Sequence, residues 1–213
     1  MPPRELKRDA LGSIRLLDDG PAPVIERDTR AARFGLAWLA RRLAAREAAA
    51  LLALQAVPLG VPRLVAFDGR VLRRSALPGE PLSAGAQPSR EFFVRALRLV
   101  RAMHRAGVTH NDLAKEANWL RSPGDVPGLV DFQLAVRSHR RGTWFRYLAH
   151  EDLRHLLKHK RTYRPDDLTA RQRRMLASLP WPTRWWRRAW KPAYVAVTRR
   201  ALGWPERTGP RER

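Results

Sequence analysis

His110-Asn111-Asp112-Leu113-Ala114-Lys115-Glu116-Ala117-Asn118 is followed closely by Val130-Asp131-Phe132-Gln133-Leu134-Ala135. The first stretch reads as a loop carrying one acid and one side-chain amide. The second reads as a short apolar strand that ends in another acid. One carboxylate is suited to accept or orient a hydroxyl proton. An amide oxygen and a second carboxylate are suited to hold a divalent cation. Either half alone is a common accident. Both halves in this order, with Asn118 and Asp131 thirteen residues apart, are much rarer.

Working outward, Gly107 stops a helix predicted from about Arg90 to Ala106. Ser89 is its cap, and Phe93, Leu97, Val100 and Met103 form its apolar stripe. Trp119-Leu120 and Leu129-Val130 bracket Ser122-Pro123-Gly124-Asp125, which predicts a hairpin between the two motif halves. Upstream, residues 5 to 27 have β character, with a turn at Asp18-Asp19-Gly20-Pro21. A helix is predicted from Thr29 to Leu54 on Leu36, Leu39, Leu43, Ala50 and Leu54, and a second hairpin turns over Asp68-Gly69. Ala76 to Leu82 reads as a linker. From Thr143 the chain is helical again, interrupted by Pro165, Pro180, Pro182 and Pro192. Strands come first and helices later, so the fold class is α+β, with a cleft expected beside the linker.

The chain has 213 residues, 44% of them hydrophobic, which suits one domain of two small lobes. It contains no cysteine, so disulfides and thiolate metal sites are excluded. Residues 1 to 20 lack the apolar core of a secretory signal, and no run approaches the roughly 18 apolar residues of a membrane span. The net charge is +22, which points to an anionic partner or to a solvated, arginine-rich surface.

On the two motif halves, the chain resembles the protein-kinase-like superfamily. Within it, the chain looks most like the small bacterial branch that groups RIO-type kinases with lipopolysaccharide core (Kdo) kinases. The resemblance implies a two-lobed fold, with a reduced N-terminal β lobe over about 5–76 and a helical C-terminal lobe over 77–179. A basic, tryptophan-rich helical tail would follow over 180–213. It implies transfer of the γ-phosphoryl of Mg-ATP to a hydroxyl, either of a protein serine or threonine or of an envelope glycolipid sugar. Asp112 matches the catalytic acid and His110 the histidine that braces its loop. Asn118 and Asp131 match the metal ligands, with ATP and Mg as cofactors. Arg27 stands where a phosphate-clamping lysine is usual, with Glu47 as its helix partner. Glu47 also reads as one member of a solvated charge pair with Arg42 or Arg46. Gly12 and Ser13 are all that remains of a phosphate-cradling glycine loop. Asp152 resembles an aspartate that braces the catalytic loop from a downstream helix, and reads equally as a helix-terminal acid. Two departures stand out. There is one residue more than usual between Asp112 and Asn118, and Gln133 stands where glycine is usual. The absence of cysteine fits a reducing compartment, so the expected location is the cytoplasm, or the periphery of the inner face of the membrane if the tail contacts it.

Other patterns compete. His155 and His159 are one helical turn apart, but no third zinc ligand is evident, and a solvated basic helix accounts for them. In the tail, Trp181, Trp185, Trp186, Trp190 and Trp204 alternate with arginines. This suits contact with an anionic membrane surface, packing onto the helical lobe, or nucleic-acid binding. A catalytically inactive kinase-like scaffold and a basic nucleic-acid-binding protein are the rival readings of the whole chain.

Overall fold

The computed structural model of the chain describes residues 3–18, 20–57 and 60–178. β1 (Arg4–Asp9), β2 (Gly12–Leu17) and β3 (Val24–Asp28) form an antiparallel meander. β4 (Leu64–Phe67) and β5 (Val71–Ser75) form the hairpin expected over Asp68-Gly69. β5 pairs with β3, giving the order β1-β2-β3-β5-β4. Asp68 fixes the hairpin turn. Its carboxylate accepts hydrogen bonds from the backbone N–H of Arg70 (2.8 Å) and Val71 (2.7 Å), while Gly69 supplies the positive φ of 90°.

α1 spans Ala37–Ala53. It starts later than the sequence pattern suggests, because Thr29–Ala31 form only a 3-10 turn capped by Asp28, and Gly35 takes a left-handed φ of 87°. Its buried stripe is Ala40, Ala44, Glu47, Ala48 and Leu51, whereas Leu36, Leu39 and Leu43 are only half-buried. The small alanines let the helix approach its neighbours closely. Glu47 therefore sits inside, and its reading as a solvated partner of Arg42 or Arg46 is corrected.

The linker contains a short strand, β6 (Glu80–Pro81), and leads to α2 (Arg90–Arg105). Ser89 caps α2, its hydroxyl accepting from the N–H of Phe92 at 3.2 Å. Then come β7 (Val108–Thr109), β8 (Trp119–Ser122), β9 (Val126–Leu129), β10 (Val136–Arg137), α3 (Thr143–Tyr163) and α4 (Ala170–Ala177). β6, β8 and β9 form one small sheet, and β7 pairs with β10. Phe92, Phe93, Val100 and Met103 of α2 share one core with Trp119, Leu129, Phe132 and Leu156. Leu51 and Leu54, from the end of α1 and just beyond it, enter the same core. Each of these fully buried side chains contributes about 1.5–3 kcal/mol. The helix that carries Glu47 is thus held by both lobes. The tryptophan-rich tail, with its membrane and nucleic-acid readings, lies outside the described residues. Among those described, no helix is long and apolar enough to cross a membrane.

Candidate active site

The loop between β7 and β8 carries Asp112 and Asn118, and it is held at its backbone. Asp152, fully buried on α3, accepts from the backbone N–H of His110 (2.8 Å) and of Asn111 (2.9 Å), and pairs with His104 at 3.0 Å. The carbonyl of Leu113 accepts from the indole N–H of Trp119 (3.1 Å) and from Nε2 of His159 (2.8 Å). His110 is buried, donates through Nε2 to the carbonyl of Val130 at 3.0 Å, and packs its ring on Phe132 at 4.6 Å. It joins the two motif loops and is a positioning residue rather than one that meets a substrate. Trp119 and His159 are braces that sequence reasoning missed. His159 is fully buried rather than on a solvated basic face.

The extra residue between Asp112 and Asn118 is taken up by a 3-10 turn at Glu116–Asn118. Asn118 still reaches the acid. Its Nδ2 donates to the Asp112 carbonyl at 2.9 Å and to Oδ2 at 3.2 Å, which leaves the amide oxygen as the atom able to serve a cation. The N–H of Val130 bonds the Asn118 carbonyl at 3.1 Å, which sets Asp131 beside the same loop. Lys115, which carried no assigned role in the sequence, sits on Asp112. Its ammonium is 2.6 Å from Oδ2 of Asp112, and its charge also acts on Asp131. Burial by itself would raise the Asp131 carboxyl. The charges of Arg27 and Lys115 and a 2.7 Å hydrogen bond from Gln133 outweigh it, and the group stays below the usual aspartate range and ionised.

Asn111 and Asp131 both take left-handed backbone, each with φ of 67°. For non-glycine residues this strain costs about 1–3 kcal/mol each, and it persists only where the surroundings impose it. Here they do. Asn111 Nδ2 donates to the carbonyl of Leu134 at 2.9 Å, and Arg46 of α1 reaches the carbonyls of Leu134 (3.4 Å) and Ala135 (3.2 Å). Gln133, in the place where glycine is usual, holds the Asp131 side chain directly.

Arg27 and Glu47 are brought together inside the N-terminal lobe, with Arg27 Nε 3.4 Å from Glu47 Oε2. Arg74 of β5, a residue not singled out in the sequence, lies closer still, at 3.1 Å from Oε1. Gly12 and Ser13, expected to cradle phosphate, are not part of this ion pair. A Cβ on Gly12 would fall 2.2 Å from the Asp28 carbonyl oxygen, so the turn is closed by the chain's own backbone. Ser13 is fully buried and its hydroxyl has no partner.

His155 illustrates a second use of burial on α3. Loss of hydration, reinforced by the Lys158 charge, lowers its pKa to about 3. The unfolded chain takes up that proton near 6.5. Between these values the unfolded state binds more protons, so stability falls as the pH drops. His155→Leu is expected to flatten the fall in urea midpoint between pH 7 and pH 5, and an unchanged pH dependence would contradict this.

The two acids on facing loops, the sheet above and the helical lobe below give the chain a two-lobed protein-kinase-like fold. The solved structures it resembles include Rio2 kinase from Chaetomium thermophilum. One is a complex with ADP, Mg2+ and phosphoaspartate (TM-score 0.58, 16% identity, covering 83% of this chain and 61% of that one). Another is a crystal structure of the same kinase (TM-score 0.59, 14% identity, covering 81% and 60%). The chain thus spans about six-tenths of the Rio2 chains it matches. No protein-family model and no curated protein sequence matches it.

Proposed function

We propose that this chain is an ATP-dependent phosphotransferase that moves the γ-phosphoryl group of Mg-ATP to an acceptor hydroxyl. The observation that carries the reading is that the two motif loops are bonded to each other: the Val130 N–H donates to the Asn118 carbonyl, His110 donates to the Val130 carbonyl, and Asn118 bonds the Asp112 carboxylate, with Asp131 next along the second loop. Two acids on loops bonded together in this way suit one polyphosphate and its cation. The donor set also suits a hard divalent cation: an ionised, half-buried carboxylate on Asp131 and the amide oxygen of Asn118. Arg27 is buried, with its Nε in an unaligned 3.4 Å charge contact to Glu47, and its other guanidinium nitrogens suit an anionic oxygen.

In this reading Asp112 accepts the proton of the acceptor hydroxyl at its carboxylate. Lys115 leaves Asp112 for the transferred phosphoryl oxygens, and Arg27 meets the phosphates from above. Mg2+, when bound, neutralises charge on the phosphate oxygens. Asp152, Trp119, His159 and His110 hold the loop backbone, so little reorganisation is needed when a substrate arrives. The ADP and Mg2+ of one Rio2 structure support the nucleotide assignment. The acceptor is a hydroxyl of a protein or of an anionic glycolipid, and the strongly basic chain favours an acidic one.

Specific observations favour a second reading, a kinase-like scaffold without turnover. They are the closed turn at Gly12, arginine in place of lysine at position 27, and the Lys115 clamp on Asp112. Incubating the purified chain with Mg2+ and γ-labelled ATP separates the two. Release or transfer of label supports the phosphotransferase, and nucleotide binding without either supports the scaffold.

A further inference from the structure

Strand register decides which arginines meet Glu47. β3 and β5 pair with Ile25 opposite Arg74 and Arg27 opposite Leu72, so Arg27 and Arg74 are diagonal neighbours on the inner face of the sheet. Glu26 and Arg73 take the other face and bond each other at 2.8 Å. Glu47 enters from α1 between the two inner arginines and is fully buried. Both arginines are buried as well. Neither Glu47 oxygen makes an aligned hydrogen bond, so its 3.1 Å and 3.4 Å contacts are charge contacts. Two buried guanidinium groups on one carboxylate leave one positive charge over. A buried charge of this kind demands an anion.

We propose that Arg74 is a positioning residue for nucleotide binding: by neutralising Glu47 from β5, it frees the charge of Arg27 for the phosphate groups of the nucleotide. This rests on the nucleotide reading above. The charges alternate along the contacts from Arg74 to Glu47 to Arg27. With Arg74 present, Glu47 has a closer partner than Arg27. Without it, Arg27 is the counter-charge left to the buried carboxylate among the described residues, and is drawn away from the phosphates. The effect must therefore appear with ligands that carry phosphate and vanish with those that do not.

The test compares Mg-ADP and adenosine binding, by NMR titration, in the wild-type chain, Arg74→Met and Arg74→Lys. Arg74→Met is expected to weaken Mg-ADP about tenfold or more, the scale seen when a supporting partner of a binding group is lost. Adenosine affinity should stay within about twofold, and Arg74→Lys should recover most of the loss, since it restores the charge. Equal Mg-ADP affinity in wild type and Arg74→Met overturns the inference, as does an equal loss for both ligands, which a merely structural role would give. Should Arg74→Met not fold, Arg74→Lys decides. A fall in its Mg-ADP to adenosine preference of less than about twofold, in a folded chain, keeps the charge role. A collapse of that preference rejects it. A wild-type chain that takes up no Mg-ADP removes the nucleotide reading and this inference with it, whereas wild-type binding matched by Arg74→Met removes the inference alone.

Discussion

Asp112→Asn is expected to lower Mg-ATP-dependent phosphoryl transfer by about a hundred- to ten-thousandfold, the range for loss of a positioned general base. This corresponds to about 3–5 kcal/mol of barrier. The amide keeps the size of the side chain and can still accept from Asn118 Nδ2, so the loop has no reason to rearrange. What it loses is the charge that accepts a proton and holds Lys115 at 2.6 Å. Releasing Lys115 does not cost nucleotide affinity, because the freed ammonium faces the anionic ligand. The expected pattern is therefore lost turnover with Mg-ADP binding at least as tight as in the wild type. Turnover left intact by the substitution would reject Asp112 as the base.

The second large effect concerns stability. Asp152→Ala is expected to destabilise the fold by about 3–5 kcal/mol, as breaking a buried, hydrogen-bonded charge does. Both Asp152 oxygens are in use, one for Asn111 N–H and the other for His110 N–H and His104. Removing them leaves buried donors unpaired, each at a cost of about 1–3 kcal/mol. Asp152→Asn keeps one accepting oxygen and should lose less. Urea denaturation measures the difference. A midpoint for Asp152→Ala close to that of the wild type would mean that the loop is held in some other way.

Much of this was legible in the sequence because it rests on local chemistry. Asp68-Gly69, Ser89 and Gly107 announce a turn, a cap and a stop through short-range backbone requirements, and the structure places them at those points. The order of strands and helices followed from those punctuation marks. What stayed hidden depends on contacts distant in sequence. The buried stripe of α1 is alanine-rich, so its inward face carries little hydrophobic contrast, and Glu47 reads as a surface charge until the sheet is folded over it. His159 looks like part of a basic face until the Leu113 carbonyl, 46 residues earlier, is set against it. Arg74 sits among many arginines in a chain of net charge +22, where one more carries no signal. Gly12 has a structural use that the sequence did not show. A glycine near the first strands suits a phosphate cradle, but here the missing side chain makes room for the Asp28 carbonyl.

Binding of Mn2+, a paramagnetic stand-in for Mg2+, followed by electron paramagnetic resonance with and without ADP, tests most directly whether the two loops converge on one cation and one nucleotide. The expected result is an ADP-dependent Mn2+ site in the wild-type chain that Asp131→Asn weakens by more than about tenfold and Asp112→Asn leaves in place. No ADP-dependent site, or one indifferent to Asp131→Asn, would contradict it.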